Sequence, residues 1–399
     1  MASELDLVIA GGGPAGMMAG LLFARAGCRV KVLEKHADFF RDFRGDTVHP
    51  STMEILDQLG MLQRFLKRPH SELRGAEGDI AGRRWKIGDL SHLKTPAPFI
   101  AIMPQWDFLD FLRQEAKAFP GFSLEMNAPV ESFIEESSRI IGVQLRDGSE
   151  LRARLTIAAD GRDSVVRQTH MLAVKTIGSP MDVFWFRVAK KPGGDKLRGI
   201  AERGRLIVLI DRGDYWQCAL VIPKGKAEEL KAQGIKPIRD AVHKAAPDLD
   251  LAELDSNEDL KLLSVAIDRL AVWHRPGLLA IGDAAHAMSP IGGVGINLAI
   301  QDAVAAANVL AAPLARDEDV DWLLHKVQER RLLPTRVIQG AQKIAQDRVI
   351  GRLLQPGAPI RKAPLLVQLL DRFAILRRIP GRLIGLGVRR EKVLSPISP

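Results

Sequence analysis

The chain has 399 residues, 46% of them hydrophobic, and carries a net charge of +9, which is enough to bury two cores or one large core with an inserted lobe. Its two cysteines, Cys28 and Cys218, lie far apart in apolar strand-like segments; this excludes a disulfide framework and a cysteine-based metal site and fits a reducing, cytoplasmic setting. Met1 to Asp6 runs into a strand without space for a leader, and no uninterrupted apolar run approaches membrane-spanning length, so a soluble or peripheral protein is expected.

Leu5 to Ala10 reads as a strand, Gly11-Gly12-Gly13-Pro14-Ala15-Gly16 as a tight turn, and the Ala- and Leu-rich stretch to Ala26 as a helix. Gly11 permits the turn, Gly13 lets the backbone approach a pyrophosphate, and Gly16 lets helix and strand pack closely, while the helix N-terminus offers amides and a positive dipole. A second strand, Arg29 to Leu33, ends at Glu34, whose carboxylate can accept both hydroxyls of a ribose and disfavours a 2′-phosphate. This unit predicts a dinucleotide site without distinguishing NAD from FAD.

The loop from Lys35 to Val48 carries Arg41 and Arg44, and His49-Pro50-Ser51 opens a helix to Leu59 with Ser51 as a candidate cap. Residues 70 to 97 are polar and irregular. Phe99 to Ile102 reads as a strand that leads through Pro104-Gln105-Trp106 into a helix ending at Ala118, and 122 to 158 holds several short strands. Ile140 to Arg146 and Glu150 to Ala158 form a predicted hairpin closed by Asp147-Gly148 with type I′ geometry. Its last strand delivers Asp160-Gly161, followed by a helix.

Residues 181 to 223 form aromatic-rich antiparallel strands, followed by helices over 226 to 233 and 238 to 245 and a strand from Leu262 to Ile267; 176 to 264 thus reads as an inserted lobe. Trp185 and Arg187 share one strand face, Phe184 and Phe186 the other, and Trp216 lies in a neighbouring strand, making Trp185, Arg187 and Trp216 the candidate substrate contacts. Gly277 to Ile281 is a buried strand that runs into Gly282-Asp283-Ala284-Ala285-His286 and then Pro290 to Asn297, with long helices over 296 to 312 and 319 to 348. Asp283 is placed to bind a polar linker such as ribityl. Gly292, Gly293 and Gly295 keep side chains away from a flat ring, and a helix starting near Ile296 presents its positive end to the negative edge of a reduced isoalloxazine. His286, in a tight turn, reads as a structural hydrogen-bonding residue rather than an acid or ligand, and His49 is a candidate proton shuttle.

The charge is concentrated at the C-terminus: from Arg361 onward nine Lys or Arg face two acids, so +7 of the +9 lies there. A tail alternating Leu, Ile and Phe with arginine can lie on an anionic membrane; a solvated face packed back on its own domain is the favoured reading. With a near-neutral body and no reader module, nucleic-acid binding is not expected.

The Gly11 to Gly16 turn, Asp160-Gly161 and Gly282-Asp283, in this order and spacing, resemble the single-component (group A) FAD-dependent monooxygenases related to para-hydroxybenzoate hydroxylase, over roughly residues 5 to 345. The resemblance implies an α/β fold with an FAD-binding doubly wound, Rossmann-like domain (1–75, 98–175 and 265–350). It adds an inserted antiparallel β-sheet substrate lobe (76–97 and 176–264) and leaves a basic C-terminal helical tail (351–399). Carried onto this chain, the flavin contacts are Gly11, Gly13, Pro14, Ala15, Gly16, Glu34, Lys35, Arg44, Gln105 and Val130 from the first half. Asp160, Gly161, Gly282, Asp283, Pro290, Gly293, Val294, Gly295, Ile296 and Asn297 complete them; Arg44, His49 and Pro290 stand nearest the reaction, and no metal is implied.

The implied chemistry is reduction of FAD by NADH or NADPH, addition of dioxygen at flavin C4a, and transfer of one oxygen atom from the hydroperoxide to an aromatic or polyketide-like small molecule. The chain reads Pro290-Ile291 where the family often has two prolines, and Tyr215 is its only tyrosine, so the phenol-activation network of the hydroxybenzoate enzyme does not carry over. The absence of a second full Gly-x-Gly-x-x-Gly sends the reductant to the FAD domain itself. The absence of Cys-x-x-Cys and of a Trp-rich halogenase motif disfavours disulfide reduction and halogenation. Epoxidation or reduction of a lipophilic substrate such as a quinone precursor is the alternative enzyme reading. A binding protein with a vestigial nucleotide fold, whose basic tail engages nucleic acid or a membrane, is the alternative outside enzymes.

Overall fold

The computed structural model describes residues 5–40, 46–190, 197–202, 205–351 and 362–398. Strand Leu5–Ala10 lies inside the main sheet, paired in parallel with Val30–Leu33 on one side and Glu150–Ala158 on the other. Phe122–Glu125 extends the sheet beyond the first neighbour and Leu278–Ala280 beyond the second, again in parallel. Strands buried on both faces need continuous apolar runs, and Leu7, Val8, Ile9 and Ala10 are all fully buried. On one face pack the helices Pro14–Arg25 and Gly295–Ala315, with Met18, Leu21 and Leu22 joining Ala303 and Ala307 in one core cluster. On the other face Val8, Leu33 and Ala153 pack with Val143 and Leu145 of strand Arg139–Leu145.

The hairpin from Arg139 to Ala158 forms, but not with the expected turn. Only Gly148 takes a positive φ, +85°; its amide donates to the Leu145 carbonyl (3.0 Å) and the Leu145 amide to that of Ser149 (2.9 Å). This is a three-residue loop with glycine in the left-handed position. Asp147 is held out of that conformation because its Oδ1 accepts from both the amide and the hydroxyl of Ser149.

The second sheet runs in the order Lys261–Leu263, Met181–Ala189, Tyr215–Pro223, Arg205–Asp211, Leu197–Glu202, Gly75–Ile80, Arg83–Asp89. The stretch read as irregular over 70–97 therefore supplies two strands of this sheet; its glycines and arginines obscured the alternation because these strands lie at a polar sheet edge. Helices Ala227–Ala232 and Lys236–Ala245 cover one face of the sheet, burying Phe184, Phe186, Leu209 and Leu220. The strand expected over Leu262 to Ile267 is confined to Lys261–Leu263.

Helix Pro50–Gln58 is preceded by His49 at the capping position and starts on Pro50, so Ser51 lies inside it and does not cap it. The helix after Asp160-Gly161 is a single turn, Val165–Gln168. Segment 291–315 is long and apolar enough by composition to cross a membrane, but Asn297, Gln301 and Asp302 interrupt it with buried polar groups and 72% of its most apolar 18-residue window is buried within the fold.

The basic tail folds back onto the body. Helices Leu365–Arg372 and Ala374–Leu386 lie against strand Arg83–Asp89: Asp371 accepts the Lys86 amide (3.0 Å) and pairs with Arg83 (2.9 Å). A Cβ on Gly381 would stand 1.9 Å from the Asp89 carbonyl oxygen, so this helix reaches the strand only with glycine there. Beyond it Arg25 donates to the Ser395 carbonyl (2.9 Å) and the Ser398 amide to that of Arg25 (2.8 Å).

Candidate flavin site

Three of the parallel strands are neighbours, and each carries one glycine-rich signature at its carboxyl end. Leu5–Ala10 leads to Gly11, Glu150–Ala158 to Asp160-Gly161, and Leu278–Ala280 to Gly282-Asp283. Open α/β sheets bind ligands along this edge.

The first turn has separate uses for its glycines. Gly11 has φ +105°, and a Cβ there would lie 2.4 Å from the Ala159 carbonyl oxygen; one on Gly16 would lie 1.9 Å from that of Gly11. A Cβ on Gly13 would meet nothing within 4 Å, so that position borders open space. The helix begins with Pro14 and has no side-chain cap, which leaves the amides of Ala15 and Gly16 for an anion. Glu34 is buried beside this turn, its Oε2 accepting the Gly12 amide (3.0 Å) and its Oε1 that of His36 (3.1 Å). Lys35 is exposed next to it, Gln105 is half-buried at the head of helix Gln105–Ala116, and Val130 packs near Leu33. Arg41 and Arg44 lie outside the described residues.

Asp160 sits against the first turn, its Cα 2.8 Å from where a Gly11 Cβ would be. Its Oδ2 accepts the Val165 amide (2.9 Å), while Oδ1 is buried with no hydrogen-bond partner among the described residues. Burial pushes its carboxyl above the ordinary carboxylate range. Gly161, with φ +86°, again borders open space. Arg162, which sequence reading passed over, ties the middle signature to the late one: it pairs with Asp283 (3.2 Å) and donates to the Met288 carbonyl (3.0 Å). An orphaned acceptor, uncapped amides and glycines facing empty space make a set that fits a dinucleotide.

The late signature rests on a buried charge knot. Asp302 Oδ2 accepts the Gly282 amide (3.1 Å) and meets His286 Nε2 (2.5 Å), and its Oδ1 accepts from Arg331 Nε (2.8 Å). Arg331 in turn approaches Glu391 of the tail (3.5 Å), and none of these side chains exceeds 1% exposure. Burial raises the Asp302 pKa, but His286 and Arg331 outweigh it and hold the carboxyl below its ordinary value. His286 thus has the structural role expected of it. Its partners were missed, although a lone acid in an Ala-rich helix was the available signal.

In the turn after Pro290, Gly292 (φ +77°) and Gly293 (φ +63°) are left-handed; a Cβ on Gly293 would lie 2.2 Å from Thr47 Oγ1, while one on Gly295 would meet nothing. Helix Gly295–Ala315 starts there behind Val294 without a side-chain cap, so the amides near Ile296 are available to an electron-rich ring edge. The Asn297 Oδ1 accepts the His49 amide (2.9 Å) and the Thr52 hydroxyl (2.6 Å), so its side chain is committed to the neighbouring helix start, which leaves a flavin contact to its backbone. His49 is fully buried, with Nδ1 2.8 Å from the Ile384 carbonyl, to which it donates, and Nε2 lacking a partner among the described residues. Burial outweighs the Ile384 carbonyl and brings its pKa down to about 4, so the ring is neutral at neutral pH.

The lobe faces this turn with one side of its sheet. Trp185 borders two buried clusters, one containing Val183 and Ala219, which Ile291 also borders, and one containing Ile210 and Leu386, which Ile384 also borders. Arg187 shares that face, with its guanidinium carbon 4.9 Å from the centroid of the Tyr215 ring. Trp216 does not share it: it is in register with Val188 and packs on the helix-covered side, so strand pairing sets it on the face opposite Trp185. A second buried cluster pins lobe to loop, with Asp46 pairing with Arg212 (2.6 Å) and accepting from Gln217 Nε2 (2.6 Å). Burial dominates over both partners and raises the Asp46 pKa.

A dinucleotide cradle on a parallel sheet, closed by a second sheet over a glycine-rich helix start, defines a flavoprotein of the doubly wound class. Residues 4–341 match the family described as the FAD binding domain, and the chain belongs to the single-component FAD-dependent monooxygenases in that family. It is 32% identical over 387 residues to 6-methylpretetramide 4-monooxygenase of Streptomyces rimosus, covering 94% of this chain and 92% of that protein. It is 28% identical over 304 residues to rifampicin monooxygenase of Streptomyces venezuelae, covering 75% of this chain and 62% of that longer protein. The fold matches pqsL of Pseudomonas aeruginosa, described as a probable FAD-dependent monooxygenase, with a TM-score of 0.75 at 22% identity over 88% of this chain and 98% of that one.

Two variants test this geometry. Gly13→Val puts a Cβ where no protein atom lies within 4 Å, so it should leave the melting temperature of the FAD-free protein unchanged while weakening FAD binding by about tenfold or more in a flavin-fluorescence titration; undiminished affinity contradicts the cradle. Asp302→Asn leaves buried Arg331 with only the more distant Glu391 (3.5 Å) as an ion-pair partner and should cost about 3 kcal/mol in denaturant unfolding at pH 7. Because the Asp302 pKa is depressed in the fold, its contribution is present at neutral pH and is lost as pH falls through the carboxylate range. The variant's deficit should therefore shrink in acid.

Proposed function

We propose that this enzyme hydroxylates an aromatic or polyketide-like small molecule held between Trp185 and the Pro290–Val294 turn, using NADH or NADPH and dioxygen. The observation that carries the reading is the apolar face of the lobe sheet, turned toward the third signature across Ile291. The names of the relatives, for monooxygenation of 6-methylpretetramide and rifampicin, support the substrate class. In this reading 1–75, 98–175 and 265–350 hold FAD, and 76–97 with 176–264 holds the substrate. A cytoplasmic setting belongs to it, since reduced nicotinamide is available there and both cysteines are free and buried.

FAD, when bound, supplies the redox chemistry, taking electrons from the reduced nicotinamide and activating dioxygen. The protein supplies position and charge. Amides at Ala15 and Gly16 hold the pyrophosphate, Glu34 the ribose, and Asp283, fixed by Arg162, the ribityl chain. Gly293, Gly295 and the helix start at Ile296 stabilise the negative edge of the reduced ring. Arg44, Gln105 and Pro290 keep the flavin-facing roles implied by the resemblance. Trp185, Ile291 and Ile384 exclude water from the reacting face. His49, neutral and protonated on Nδ1, offers Nε2 as an acceptor for a substrate proton.

Candidate aromatic and polyketide-like compounds should raise NAD(P)H oxidation severalfold, with one atom of labelled dioxygen appearing in the product by mass spectrometry. Oxidation that yields only hydrogen peroxide, or product without label, overturns the hydroxylase reading in favour of a reductase. Trp185→Ala should raise KM about tenfold or more with FAD affinity unchanged, whereas Trp216→Ala should leave KM within about twofold. Equal effects of the two would contradict the assignment of the sheet faces.

A further inference from the structure

We propose that the hairpin of helices Leu365–Arg372 and Ala374–Leu386 docks this enzyme on an anionic phospholipid surface. The inner face of the hairpin is committed to the protein: Val367, Leu370, Gly381, Gly385 and Leu386 are buried. The outer face is not. Leu365 is 70% exposed, Leu366 63%, Ile375 68% and Ile379 67%, with Leu369 and Phe373 between them also exposed. Spacings of three and four residues place each helix's exposed apolar side chains on a common stripe. Such a stripe on a monomer marks an interaction surface rather than chance exposure.

Charge selects the occupant. Between residues 362 and 386 the chain has five cations, Lys362, Arg372, Arg377, Arg378 and Arg382, and one acid. That acid, Asp371, is already engaged by Arg83 and the Lys86 amide, and Asp89 of the strand beneath offsets Arg378, so the outer face keeps a net positive charge. A second copy docking through the same patch would set arginines against arginines, because an isologous interface matches each surface with itself, and like charges so placed oppose association. A surface that accepts Leu, Ile and Phe while welcoming arginine is the interface of an anionic bilayer, where an amphipathic helix buries its apolar stripe at headgroup depth.

The placement also has a consequence for the site. The same hairpin supplies Ile384, whose carbonyl accepts from His49 and whose side chain packs in the Trp185 cluster. Lipid on its outer side and the candidate substrate chamber on its inner side are thus separated by one helix, which suits an apolar substrate drawn from the membrane.

The test is sedimentation of the full-length, FAD-loaded enzyme with vesicles of phosphatidylcholine alone or mixed with phosphatidylglycerol. Binding should be confined to the phosphatidylglycerol vesicles and fall with added salt. L365S/L366S/I375S/I379S and R372Q/R382Q should each return it toward background, the arginine pair by roughly fivefold per residue, with the flavin spectrum intact; if the serine variant loses flavin, the arginine variant decides. Equal sedimentation with both vesicle types, or unchanged binding by the arginine variant, overturns the proposal. So does a dimer by light scattering that the serine variant abolishes while no vesicle binding is seen.

Discussion

The parallel pairing of three strands, Leu278–Ala280, Glu150–Ala158 and Leu5–Ala10, is the constraint on which the site depends. Signatures separated by more than a hundred residues become neighbours only because these strands run in the same direction and end at the same edge. The contact between Gly11 and Ala159-Asp160 locks the first two together so closely that no side chain fits between them. Arg162 then links the second to the third through Asp283. Shared cofactor chemistry follows from this arrangement: one edge offers uncapped helix amides, a buried acceptor and glycine-lined space at once.

Two buried ionic clusters hold the surroundings in place. Asp302 gathers the Gly282 amide, His286 and Arg331, and through Arg331 reaches Glu391, so the late signature and the C-terminal segment share one electrostatic core. Asp46 with Arg212 and Gln217 does the same between the flavin-side loop and the lobe sheet. Buried charges of this kind are costly to desolvate and hold only while every partner remains, which favours one specific arrangement of lobe, tail and sheet over looser packings. Through Ile384 and Leu386 the tail also packs with the cluster that Trp185 borders, besides presenting a basic surface.

What could be read from sequence was what depends on local geometry. The Gly11–Gly16 turn, Glu34 at the end of its strand and the glycines after Pro290 declare themselves by residue type and spacing, and the fold around them follows the expected α/β plan with an added sheet. What depends on pairing register was hidden. Trp216 lies opposite Val188, a fact fixed by hydrogen bonding between strands and not by alternation within one. That the Asn297 side chain serves the His49 amide and the Thr52 hydroxyl, over two hundred residues earlier, could not be read from its position. Asp302, Arg331 and Glu391, and likewise Asp46 and Arg212, are distant in sequence and look solvated when read singly. The polar strands at 75–89 were missed because glycines and charged residues hide their alternation at the end of the sheet, where Arg83–Asp89 is the edge.

The central claim is that three separate segments form a single FAD site. Hydrogen–deuterium exchange measured with and without FAD tests it directly. The account predicts that peptides covering 11–16, 160–165 and 282–297 gain protection together, with the same dependence on FAD concentration. Protection confined to the first segment, with the other two unchanged at saturating FAD, would contradict it.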